Sequence, residues 1–140
     1  MIGQTKDAGF QIGVSRTLPH DIDFVWRFLT GADGLRIWLG DGAALDGGPY
    51  RTAGGTTGEL RSRHERDRVR LTWQPAGWDH DTTVQVTVST PASGRTTLRF
   101  HQERLTGPEE RERQRRHWRA VMDAMAAAMG RSTPRSGTPS

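Results

Sequence analysis

A long amphipathic helix at the end of the chain is the feature that most constrains the fold. A capping motif precedes it: Thr106 is followed three residues later by Glu109, and Pro108 stands in the first turn. One apolar stripe then runs through Trp118, Val121, Met122, Met125 and Met129. Gly130 is expected to end the helix. A helix of this length with one apolar face needs another element to cover that face.

Strands with alternating polar and apolar residues precede this helix and can cover it. They are predicted at Phe10–Leu18, Thr57–His64, Arg68–Pro75, Thr82–Thr90 and Gly94–Leu105, with a short strand around Pro49–Arg51 that the proline places at a sheet edge. An antiparallel sheet buries its apolar face against another layer, and the long helix is the element that spans it. The sequence therefore predicts an α+β fold in which a curved antiparallel sheet is wrapped around the C-terminal helix.

Two short helices are predicted directly after the first strand. Pro19 opens the first, and Asp21 and Asp23 lie in its first turn, where the helix dipole favours acids. Asp33 is expected to cap the second helix, and Gly40 to end it. The apolar residues of the pair are Ile22, Val25, Trp26, Leu29, Leu35, Trp38 and Leu39. These helices are expected to plug one end of the sheet.

Length and composition predict one domain and exclude several kinds of site. The 140 residues fit a single domain at residues 10–130, with an N-terminal extension at 1–9 and a disordered tail at 131–140. Because the chain has no cysteine, disulfides, thiolate nucleophiles and cysteine-based metal sites are excluded. Without a signal-like start or a long apolar run, a cytoplasmic location and no membrane span are expected.

The net charge of +4 does not by itself indicate a nucleic-acid partner. The two basic segments are Arg61–Arg70, which interleaves acids, and Arg111–Arg119, which lies on a helix with an acidic first turn. A nucleic-acid site requires a basic face with few compensating acids. We therefore interpret both segments as solvated surface, with no nucleic-acid partner.

The ordered set of motifs resembles a known family across Phe10–Gly130. The matching features are a strand followed by proline and a helix with Val25-Trp26, the segment LTG…LRIWLG with Trp38, LTWQP followed by a valine-rich strand and TTLRFHQERL, and His117-Trp118 in the last helix. The chain is similar to the SRPBCC (START-like) superfamily. Within it, the chain most resembles the bacterial branch named after the activator of heat-shock-protein-90 ATPase. The resemblance implies the helix-grip fold.

The resemblance also implies a cavity between the long helix and the sheet, because members of this superfamily commonly enclose one. The expected lining residues are Val14, Trp26, Trp38, Trp73, Val86, Phe100, Trp118, Met122 and Met125. Unbranched methionine side chains suit a wall that repacks around different ligands. The alternative is that the same rings and methionines fill the core completely.

Few residues in this sequence indicate catalysis. The five histidines form no H-x-x-x-H or H-E-x-x-H pair, so no metal site is expected. His80, in the run Trp78–Asp81, is either a base activated by an acid or part of a polar hairpin loop. With that loop beside the cavity mouth, Trp78 and His80 are predicted to be gating residues. No catalytic residue and no cofactor are predicted.

Three functional hypotheses follow. The first is a non-catalytic domain that binds a hydrophobic small molecule in the cavity. The second is a protein-interaction or chaperone-cofactor-like module that uses the basic surface of Arg111–Arg119. The third is a polyketide aromatase/cyclase-like enzyme, which requires an acid or base inside the pocket.

Overall fold

The computed structural model describes residues 4–5 and 9–132. Their elements follow one another as β1 (Gln4–Thr5), β2 (Gly9–Leu18), α1 (Ile22–Thr30), α2 (Ala32–Trp38), β3 (Gly48–Arg51), β4 (Thr57–His64), β5 (Arg68–Trp73), β6 (Thr82–Ala92), β7 (Arg95–Leu105) and α3 (Pro108–Ser132). The predicted helix-grip fold is confirmed: a curved antiparallel sheet holds the long C-terminal helix, and two short helices follow β2.

The strands form one antiparallel sheet in the order β1-β2-β7-β6-β5-β4-β3. β1 has two residues and lies within the predicted N-terminal extension. β3 forms the other edge and pairs with β4, where Pro49 lies opposite Glu59. The proline is therefore on an edge strand, as predicted, because a proline cannot donate a ladder hydrogen bond.

The strand register places the inward-facing apolar residues of neighbouring strands opposite one another. Val69 lies opposite Val86, Val86 opposite Phe100, and Phe100 opposite Val14. The first three are fully buried and Val14 is half-buried. This apolar row crosses four strands on the face that α3 covers, which is the reason that the helix and the sheet share one core.

The short helices begin differently from the prediction. Asp21 is the N-cap of α1, and its carboxylate accepts a 2.9 Å hydrogen bond from the Phe24 amide. The prediction that Asp33 caps α2 was wrong. Gly31 alone separates the two helices, so its extended backbone takes the cap position. Asp33 lies in the first turn instead and forms an ion pair with Arg36 at 3.0 Å.

The ends of α3 also differ from the prediction. The Thr106 amide donates a 3.0 Å hydrogen bond to Glu110, so Glu110 and not Glu109 closes the N-terminal cap. Glu110 is buried, whereas Glu109 points into solvent. At the other end, the helix continues through Gly130 to Ser132. The predicted tail from residue 133 onward lies outside the described residues, and its disorder stays a prediction.

Of the helices that the structure describes, none combines the length and the apolar character needed to cross a bilayer.

Candidate functional site

Stacked aromatic rings occupy the space between α3 and the middle of the sheet. The Trp118 ring stacks on Phe100 with 5.0 Å between ring centroids and lies 5.6 Å from Trp73. Trp38 of α2 reaches the same cluster, 6.0 Å from Phe100. All four residues are at most 5% exposed. These rings therefore belong to the core as well as to the predicted cavity wall.

A buried polar chain crosses this aromatic cluster. Gln102 is fully buried; its side-chain oxygen accepts a 2.7 Å hydrogen bond from the Trp118 indole nitrogen. Its amide nitrogen donates to the Thr82 hydroxyl at 2.9 Å. The Thr82 hydroxyl donates in turn to the Trp73 carbonyl at 2.8 Å. Because every member has a partner, the chain orients the Trp118 ring without an unpaired polar group.

An open pocket of about 320 Å³ lies at the end of the sheet where β5 ends and α3 begins. It is lined by Arg36, Ile37, Trp38, Leu39, Gly40, Thr56, Trp73, Pro75, Trp78, Gln114 and His117. Of the predicted lining residues, Trp38 and Trp73 border this pocket, as does the predicted gating residue Trp78. The sequence indicated the aromatic walls of this pocket but not its position at the end of the sheet.

The other predicted lining residues lie deeper or elsewhere. Val86, Phe100, Trp118, Met122 and Met125 belong to the buried core, and Val14 packs against it. Trp26 is also buried, but its indole nitrogen donates a 2.7 Å hydrogen bond to Glu65. Glu65 lies between β4 and β5, at the opposite end of β5 from Trp73. The structure thus separates Trp26 from the three tryptophans of the pocket.

Trp78 and His80 lie in the loop between β5 and β6 at one wall of the pocket. The Trp78 ring stands edge-on to Trp73 at 5.7 Å and stacks on His80 at 5.0 Å. His80 bridges Asp79, 2.9 Å from its Nδ1, and Glu110, 3.0 Å from its Nε2. The loop is therefore tied to the first turn of α3, on the side where Trp78 covers Trp73.

The bridge shifts the pKa values of His80 and Asp79. The hydrogen bond to Asp79, and then that to Glu110, raise the pKa of His80 above its usual value, although desolvation opposes them. The hydrogen bond with His80 lowers the pKa of Asp79. Protonated His80 is thus favoured while the loop is in place. His80, paired with two acids, therefore tethers the loop and is not a free base.

His117 is the second histidine at this site. The residue is exposed overall, but its ring lies 5.7 Å from Trp73 and 4.7 Å from Trp118. Partial desolvation by these neighbours lowers the pKa of His117. A neutral imidazole therefore borders the pocket at neutral pH, and this is the type of group that the aromatase/cyclase hypothesis requires.

Gln114, like Arg36, Ile37 and Thr56, is a pocket residue that the sequence analysis did not single out. It is 8% exposed and lies one helical turn before Trp118 on the same stripe of α3. A glutamine that continues an apolar stripe at a spacing of four residues is the signal that could have identified it. Gln102 has the same kind of signal, because it continues the inward alternation of Leu98 and Phe100 along β7.

Within the described ranges, 4–5 and 9–132, no cluster of three or more histidine, aspartate or glutamate side chains is placed to hold a metal ion.

Comparisons with solved structures support the fold. CalU16 from Micromonospora echinospora superposes with a TM-score of 0.74 at 19% identity, over 89% of this chain and 80% of that protein. PFC0360w, an HSP90 activator from Plasmodium falciparum, gives 0.73 at 17% identity, over 87% and 97% of the two chains. Protein MLL2253 from Mesorhizobium loti gives 0.70 at 20% identity, over 89% and 99%. At these identities the likeness shows a shared fold.

The comparison with curated proteins gave no match. The family model described as Activator of Hsp90 ATPase homolog 1-like protein matches residues 19–130, which run from the start of the helix pair almost to the end of α3. The chain therefore belongs to the family of Activator of Hsp90 ATPase homolog 1-like proteins.

Proposed function

We propose that this protein binds a hydrophobic, ring-containing small molecule in the pocket at the end of the sheet. The observation that carries the proposal is the wall formed by the indole rings of Trp38, Trp73 and Trp78. The cytoplasmic location inferred from the sequence stays a prediction.

The dimensions of the pocket suit a small aromatic ligand. Its volume of about 320 Å³ lies at the lower end of the usual range for small-molecule sites. Ile37 and Leu39 of the α2 region add aliphatic surface to the lining. Aromatic faces bind flat ring systems by offset or edge-to-face contacts. A bicyclic aromatic compound is therefore a suitable probe.

The first experiment is native mass spectrometry of the purified protein, followed by a titration with 2-methylnaphthalene monitored by NMR. Saturation transfer from the protein to this compound is expected, with chemical-shift changes confined to the pocket. The variant Ile37→Trp should fill the pocket and abolish binding. Phe24→Trp is the matched control, because Phe24 is likewise half-buried in the helix pair but does not border the pocket. Equal binding by both variants would place the ligand elsewhere.

A second candidate function is a protein interaction through the exposed surface of α3. Arg113, Arg116 and Arg119 are exposed there, while Arg115 lies 3.6 Å from Glu112. The description of the family and the likeness to a protein named as an HSP90 activator favour a chaperone as the partner. Exposed basic side chains promote association with an acidic partner at low salt.

This candidate is tested by measuring the ATPase rate of a purified Hsp90 with and without the protein at low salt. Stimulation that is lost in Arg113→Glu/Arg116→Glu, but kept in Arg95→Glu at the tip of the β6–β7 hairpin, would support it. An unchanged ATPase rate at all protein concentrations would count against a chaperone role and leave the pocket proposal intact.

A further inference from the structure

Two buried polar atoms beside the pocket have no hydrogen-bond partner among the described residues. They are the indole nitrogen of Trp73, a donor, and the side-chain oxygen of Gln114, an acceptor. Trp73 is 5% exposed and Gln114 is 8% exposed, and both residues border the pocket. Buried polar atoms are paired in the great majority of cases, so each unpaired atom calls for an explanation.

Three other tryptophans show that unpaired indole nitrogens are not the rule in this protein. Trp118 donates to Gln102 at 2.7 Å, Trp38 donates to the Leu29 carbonyl at 2.9 Å, and Trp26 donates to Glu65 at 2.7 Å. Trp73, a core residue that borders the pocket, departs from this pattern. The departure therefore coincides with the candidate site.

The loop that carries Trp78 packs against Trp73. The Trp78 ring stands edge-on to Trp73. The backbone carbonyl of Trp78 accepts a 2.6 Å hydrogen bond from the Gln74 side chain. The loop includes Gly77, whose backbone angle φ of +86° favours glycine, and it is held to α3 through His80.

We propose that the ligand is a planar aromatic molecule that carries both a hydrogen-bond acceptor and a donor, as a phenol does. Its ring replaces Trp78 against Trp73, its acceptor receives the Trp73 indole hydrogen, and its donor binds the Gln114 oxygen. The inference rests on the proposed function of the pocket. The driving force is that binding pairs two buried polar atoms that have no partner among the described residues.

The test compares 2-naphthol with 2-methylnaphthalene, which has the same shape but no donor or acceptor. The protein is labelled with ¹⁵N, and the Trp73 indole signal is assigned by its absence in Trp73→Phe. We expect 2-naphthol, and not 2-methylnaphthalene, to move this signal downfield. One hydrogen bond corresponds to about a three- to tenfold change in affinity. Trp73→Phe and Gln114→Leu should each weaken 2-naphthol binding by about this factor more than they change 2-methylnaphthalene binding.

The outcomes separate this inference from the proposed function. Equal affinity for the two compounds, with no effect of either variant, would overturn the inference and leave an apolar binding pocket. Failure of both compounds to bind the wild-type protein would count against the pocket proposal itself. The melting temperature of each variant is measured first. If Trp73→Phe does not fold, the relative effect of Gln114→Leu on the two compounds still decides between the outcomes.

Discussion

Replacing Gln102 with leucine is the sharpest test of how the core of this protein is held together. Gln102 is fully buried between α3 and the sheet and links Trp118 to Thr82 through its two amide atoms. Leucine has a similar size but cannot accept the hydrogen bond from the indole nitrogen. The variant therefore leaves the Trp118 donor buried without its partner, whereas Thr82 still donates to the Trp73 carbonyl.

The expected loss of stability follows from one donor, the Trp118 indole nitrogen, that the variant leaves without a partner. An unpaired buried donor costs about 1–3 kcal/mol in the free energy of unfolding. For 140 residues the entropy of unfolding near 60 °C is about 0.3 kcal/mol per degree, so the melting temperature should fall by about 3–10 °C. Thr82 contributes little to this loss because it keeps its own donor bond.

Urea unfolding of a double-mutant cycle measures the effect directly. Trp118→Phe leaves the Gln102 oxygen unpaired and also creates a small cavity, so it should be destabilising by itself. In the double variant Gln102→Leu/Trp118→Phe both polar atoms are absent. Its destabilisation should fall short of the sum of the two single effects by about 1–2 kcal/mol. Additive effects, within about 0.5 kcal/mol, would refute the reasoning that the pair is coupled.

Three further predictions concern the loop between β5 and β6, the strand β4 and the core. For His80→Gln, the stability difference from wild type should be largest below about pH 6 and shrink as the pH rises through the raised folded-state pKa of His80; a difference that is constant from pH 5.5 to 9 would contradict the tether. Gly58→Ala should destabilise by more than about 2 kcal/mol because its Cβ would overlap the Thr72 carbonyl oxygen, whereas Gly107→Ala, where the added carbon meets open space, should remain folded at wild-type temperatures in a thermal melt. Met122→Ala should cost about 2–5 kcal/mol in urea unfolding if this side chain is core, and a much smaller loss would indicate that it faces free space.

The strands and the long helix could be predicted from the sequence because their signals are local. An alternating pattern such as that around Val86 places one side of a strand inward whatever the rest of the chain does. β4 spans the predicted Thr57–His64, and the helix begins at Pro108, inside the predicted capping motif. Even here the finer detail depended on contacts, since the helix start brings Glu110, and not Glu109, back to the Thr106 amide.

The pocket was decided by the tertiary structure. The sequence placed Trp26, Trp38 and Trp73 together on the inward side, but only the packing separates Trp26 from the other two. Which rings fill the core and which border an opening depends on where α3 crosses the sheet, and side-chain periodicity carries no information about that position.

The hydrogen-bond partners of the buried polar groups could not be predicted from the sequence either. Gln102 meets a side chain 16 residues away in Trp118, and His80 meets one 30 residues away in Glu110. No local pattern records such pairs, because they form only when strands and helix are in register. The sequence by itself therefore determined the elements and their inward faces. The tertiary structure decided which polar atoms are paired, and among the described residues it leaves the Trp73 indole nitrogen and the Gln114 side-chain oxygen without a partner.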